Sequence, residues 1–124
     1  MPYWEPLPEQ CPPAEAEDIA IDIAYRVVFT NPPKQEQFAS LKALGRDMPP
    51  GTDECRFASC SLWSCPTQVR KIAGLPKVRI QNPLIAELQI AQGSGTSITK
   101  NKHIDFWIYD SFDPTLAVVK VEDV

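Results

Sequence analysis

The residues best suited to chemistry fall on two apolar stretches. From His103 to Tyr109 the side chains alternate, with Ile104, Phe106 and Ile108 pointing one way and His103, Asp105, Trp107 and Tyr109 the other. This is the period of two that a half-buried strand shows. His103 and Asp105 are the candidate catalytic groups on that face, and Trp107 and Tyr109 are candidate ligand-binding groups. From Ile19 to Phe29 a longer strand carries Tyr25 and Arg26. Arg26 lies four residues after Asp22 on the less apolar side, placed either to pair with that carboxylate or to line a cleft.

These groups could nominally serve several chemistries. A serine triad would draw on Ser61, His103 and an Asp, but the chain has one histidine and no Gly-x-Ser-x-Gly elbow. Base stacking would use Trp107 and Tyr109 beside Lys100 and Lys102, and the net charge of −4 weakens its electrostatic part. Nucleic acid is therefore not an expected partner. Gly93-Ser94-Gly95 precedes a strand and lacks the Lys and hydroxyl of a phosphate loop, so it reads as a turn. Cys55, Cys60 and Cys65 are spaced by five and match no zinc pattern, and with Cys11 they read as buried reduced thiols, with no metal expected. Disulfides would be expected only outside the cytosol.

Length and charge bound the rest. A chain of 124 residues fits one domain and can bury about two-thirds of its unfolded surface. Its 44% hydrophobic content, with three Trp, three Tyr and five Phe, argues against disorder. No basic leader and no long apolar run is present, which predicts a cytoplasmic protein without a membrane span. Charge is uneven. Residues 1–24 hold six acids and no Lys or Arg, whereas residues 70–103 hold six Lys or Arg against Glu87 alone, a net of +5. The basic stretch is either neutralised within the fold or available to an anionic ligand.

The elements that must position these groups follow in order. Residues 1–18 form a proline-rich acidic arm whose Tyr3, Trp4 and Leu7 should pack on the domain, or else on a partner chain. Residues 19–124 form the domain. Ile19 to Phe29 is a long central strand with Ile19, Ile21, Ile23, Tyr25, Val27 and Phe29 on its apolar face. Lys34 to Leu44 is a helix with a Phe38, Leu41 and Leu44 stripe, and Arg56 to Trp63 is a strand. Ser64 caps a helix over 65–73 that stops at Gly74 and Pro76. Lys77 to Ile80 begins another strand, and Leu84 to Ile90 pairs with His103 to Tyr109 as a hairpin through residues 92–97. Leu116 to Val121 ties the C-terminus into the sheet. The fold class is α+β: one domain, a mixed but mostly antiparallel twisted sheet and two short helices, in the order β-α-β-α-β-β-β-β.

This layout resembles a small ADP-ribosyltransferase-like domain. The residues that carry the resemblance are Tyr25-Arg26 on the first long strand, a following helix, Ser59-Cys60-Ser61 before another helix, and Lys102 to Trp107 before the terminal Val118 to Val121 strand. The resemblance implies NAD as cofactor, Arg26 on its phosphates, Ser61 shaping the nicotinamide pocket, and Asp105 acting on the ribose. His103 and Asp105 stand where that family carries its two glutamates. Two functional readings result: a binding protein that recognises another protein through the Trp107 and Tyr109 face or the arm, and an NAD-dependent enzyme.

Overall fold

The computed structural model describes residues 2–124, and their alternating apolar stretches build one antiparallel six-stranded sheet. The strands are β1 (Ile21–Val28), β2 (Cys60–Trp63), β3 (Leu84–Ile90), β4 (Gly95–Lys100), β5 (His103–Ile108) and β6 (Val118–Asp123). They lie in the order β4-β5-β2-β1-β3-β6, so β1 is central. Three short helices are α1 (Glu54–Phe57), α2 (Pro66–Ala73) and α3 (Pro76–Arg79), and 3₁₀ turns occupy Gln35–Phe38 and Pro114–Ala117. The chain is thus a single α+β domain. No helix among the described residues is long and apolar enough to cross a membrane.

One sheet face carries the core. Ala24 and Val28 of β1, Leu62 of β2, Ala86, Leu88 and Ile90 of β3, and Ile104, Phe106 and Ile108 of β5 are buried there with Phe38 and Ala117. Trp4 of the arm and Phe112 pack against this cluster. On the other face α2 packs across β1, β2 and β3 with Val69 and Ala73 fully buried. Pro66 starts α2 at the position where a missing N–H costs nothing.

Several expectations need correction. Among the described residues every strand pair is antiparallel, and the helices number three rather than two. The core face of β1 is the Ala24 and Val28 side, while Ile19, Ile23 and Phe29 are 49%, 43% and 39% exposed. An irregularity between Ile21 and Ala24 shifts the register, and the small Ala24 leaves room for the large core residues of β2, β3 and β5. Lys34 to Leu44 is no α-helix: four residues form a 3₁₀ turn, and Ala39 is extended. Arg56 and Phe57 belong to α1, capped by Asp53, whose carboxylate accepts the Cys55 and Arg56 N–H groups. Residues 77–79 are helical because Pro76 opens a turn. Residues 84–90 and 103–108 do not pair. β3 lies between β1 and β6, and the hairpin partner of β5 is β4, whose first three residues fall within the stretch 92–97 read as a turn. Gly95 starts β4 because any Cβ there would collide with Trp107, Phe106 and Ile108.

The acidic arm lies along the domain. Trp4 N–H donates to the Ile108 carbonyl at 2.9 Å, and Asp110 N–H donates to that of Pro2 at 2.7 Å. Glu17 and Ser97 exchange two backbone hydrogen bonds at 3.1 and 2.9 Å, which covers the outer edge of β4. The reading of four reduced thiols is corrected by a disulfide between Cys11 and Cys55, with Cys60 buried and Cys65 half-buried as thiols. Sequence spacing gave no signal for it, since the two cysteines are 44 residues apart and meet only when the arm folds back.

Closing a loop of 44 residues removes unfolded-chain entropy, a constraint worth about 3–4 kcal/mol. Cys11→Ser/Cys55→Ser, or reduction, is expected to lower the urea-unfolding free energy by about that amount. An unchanged midpoint on reduction would show that the arm contributes nothing through this link.

Candidate functional site

β1 and β2 are joined by a single ladder pair, Tyr25 with Trp63, whereas β2 and β5 are joined by four. Continuing the register would set Val27 against Ser61, but the two strands part there. A gap in a central sheet exposes carbonyls that must find donors. Arg26 supplies them. Its Nη1 donates to the Ser61 carbonyl at 2.7 Å, its Nε to that of Gln37 at 2.9 Å, and its Nη2 to that of Ala39 at 3.1 Å. The guanidinium carbon sits 5.9 Å from the centre of the Phe38 ring, within cation–π range. Arg26 does not pair with Asp22, which makes no ion pair among the described residues.

The segment after the 3₁₀ turn is held from a second side by the arm. Glu5 accepts hydrogen bonds from Ser40 N–H at 2.9 Å and Ser40 Oγ at 2.6 Å, and Ser40 Oγ in turn accepts from Ala43 N–H at 3.0 Å. Thus fixed, residues 39–46 form one wall of a cleft of about 310 Å³. Leu41, Leu44, Phe29, Trp63, Ile72 and Val78 give it an apolar lining. Arg26, Ser59, Ser61, Arg46, Lys77 and Gln81 supply its polar groups.

A second polar cluster lies behind this cleft. Asp105 is 4% exposed, and its carboxylate accepts from Arg56 Nε at 2.8 Å and from Ser59 Oγ at 2.8 Å. Ser59 Oγ also lies 2.8 Å from the Arg56 carbonyl, so one hydroxyl proton serves two acceptors. His103 Nδ1 is buried without a hydrogen-bond partner, 3.8 Å from Asp105 Oδ1. Its ring packs edge-on against Trp63, with centroids 4.6 Å apart. Burial pushes the His103 pKa below its ordinary 6.5; Asp105 opposes this shift and Arg56 adds to it.

The residues singled out by sequence therefore separate. Arg26 and Ser61 meet at the cleft. Tyr25 is half-buried in the sheet between Trp63 and Glu87. Asp105 and His103 form the inner cluster, where the carboxylate rather than the imidazole lies between the other two groups, unlike a serine triad. Trp107 is 1% exposed and donates its indole N–H to the Cys55 carbonyl at 3.0 Å, so it presents no binding face. Tyr109 packs against Tyr3 with the rings tilted and their centroids 5.4 Å apart, and donates its hydroxyl to Asp18 at 3.0 Å; burial raises its pKa with help from that contact. Both rings are covered by the disulfide-linked arm and α1. Sequence reasoning missed Arg56, Ser59 and most of the cleft lining. Leu41 and Leu44 were legible as apolar, but a helical period assigned them to the core together with Phe38.

Among the described residues no three His, Cys, Asp or Glu side chains gather where a metal could bind. In comparison with known proteins, the chain matches no family model, no curated protein and no solved structure.

Because His103 binds its proton less readily when folded, the unfolded chain holds more protons between the lowered pKa and 6.5. Stability is therefore expected to fall as pH drops below 6.5. The His103→Gln variant should show a shallower decline in urea midpoint over the same range. Parallel declines in the two proteins would refute this role for His103.

Proposed function

We propose that the protein is a binding module and that its ligand enters the cleft between β1, β2, residues 39–46 and the α2–α3 corner. The observation that carries this reading is the exposed apolar lining: Phe29, Leu41 and Leu44 are 39%, 46% and 49% exposed around one concave opening. Contiguous apolar surface of that kind favours occupation by a ligand, whereas isolated exposed residues need no explanation. The reading moves the binding surface away from Trp107 and Tyr109, whose side chains are engaged within the chain. It leaves Arg26 as a structural group that also lines the site.

A neutral solvatochromic dye, Nile red, is expected to bind saturably with a blue-shifted emission. Leu41→Asp/Leu44→Asp should abolish the signal, and because both side chains are exposed the fold should survive, as circular dichroism would show. Equal dye binding by the variant and the parent would overturn the assignment.

NAD is a second possible occupant, supported by Arg26 in the cleft with two of its five N–H donors unspent. Asp105, to which the ADP-ribosyltransferase resemblance gives the catalytic role, is bonded to Arg56 and Ser59 and does not line the cleft. Saturating NAD should raise the melting point by several degrees if it binds there. No shift would remove this reading. As to location, the Cys11–Cys55 bond supports an oxidising compartment over the cytoplasm expected from the sequence.

A further inference from the structure

The charges lining the cleft are all of one sign. Arg26, Arg46 and Lys77 line it, and among the described residues no Asp or Glu does. Among the described residues, none of the three forms an ion pair with a carboxylate. The chain as a whole carries −4, so a wholly positive cleft is not a by-product of a basic protein. Arg46 and Lys77 are exposed yet line the cleft, which places them at its mouth, whereas Trp63, Ile72 and Val78 are half-buried and lie deeper. The half-buried Arg26 guanidinium donates to three carbonyls and lines the cleft.

On the reading that the cleft is the binding site, we propose that it selects anionic amphiphiles: small molecules with one negatively charged head at the Arg46 and Lys77 mouth and an apolar tail against Leu41, Leu44, Trp63 and Val78. A volume of about 310 Å³ is in the range of clefts that take a single small ligand. The apolar lining, with Trp63, Ile72 and Val78 deeper and the exposed Leu41 and Leu44 nearer the rim, argues against a polyphosphate, which would leave it unused. The positive mouth argues against neutral or cationic amphiphiles, because the two cations would gain nothing from them. Lys77 belongs to the basic stretch of residues 70–103 that stands out in the sequence.

The test is calorimetric titration of the intact protein with decanoate and with decanol, which share a tail and differ in head charge, both below their aggregation limits. Decanoate is expected to bind about tenfold more tightly, as two exposed cation contacts would allow. Arg46→Ala/Lys77→Ala should bring decanoate down to the affinity of decanol while leaving decanol unchanged. Equal affinities in the parent protein, with binding still lost in Leu41→Asp/Leu44→Asp, would overturn the anion selectivity and leave the cleft reading intact. Absence of binding by both compounds would overturn both. Persistence of the decanoate preference in Arg46→Ala/Lys77→Ala would also overturn the assignment of the head group to these residues.

Discussion

The structure depends on one guanidinium placed where the central sheet comes apart. β1 and β2 share a single pair, and beyond it the Ser61 carbonyl of β2 lacks a β1 partner, while Gln37 and Ala39 in and after the 3₁₀ turn present two more carbonyls outside the sheet. An unpaired backbone group in this setting costs roughly 1–3 kcal/mol. Arg26 answers all three with one planar fork of donors, a geometry that lysine, with a single charged nitrogen, does not reproduce. Because those donors are fixed to backbone atoms of two separate segments, the parting of the strands becomes a defined opening. The wall made by residues 39–46 is a set of turns, closed by Leu44 N–H to the Ser40 carbonyl and Arg46 N–H to that of Leu41, and it is tied to the domain by Arg26, by Glu5 on Ser40 and by Lys42 N–H on the Phe57 carbonyl.

The arm is accordingly part of the fold. It covers the edge of β4, adds Trp4 to the core, and through Cys11 reaches the segment whose Cys55 carbonyl receives the indole of Trp107. Its acids act locally: Glu5 on Ser40, and Asp18 on Tyr109 and on Gly93, whose φ of +93° suits glycine in the turn. The cleft receives none of them and stays positive.

Strands β1, β3 and β5 and helix α2 were legible in the sequence because each repeats a period of two or is bracketed by proline and glycine. The pairing of those strands was not. Residues 84–90 and 103–108 alternate equally well, but β3 reaches past the hairpin to β1, and the polar stretch 92–97 read as a turn runs into a strand at Gly95. The core face of β1 was misread because apolar content favoured the isoleucine side, whereas packing volume favoured Ala24 and Val28. Of the site, Arg26 and Ser61 were found through an unusual residue on a central strand and a serine on a short one. The leucines of the wall were assigned to the wrong structure because a stripe of Phe38, Leu41 and Leu44 fits a helix, although the chain is extended at Ala39 and then forms turns over residues 41–45. Trp107 and Tyr109 looked available because nothing in the sequence indicates that a distant disulfide folds the arm over them.

The most direct measurement of whether the opening between β1 and β2 is held by Arg26 is the urea-unfolding free energy of Arg26→Ala. Loss of three hydrogen bonds from a charged donor, with their carbonyls left to find water, predicts destabilisation of about 3–4 kcal/mol. A loss below about 1 kcal/mol, the range of an exposed contact, would mean that the strands part for another reason and that the cleft does not depend on this residue.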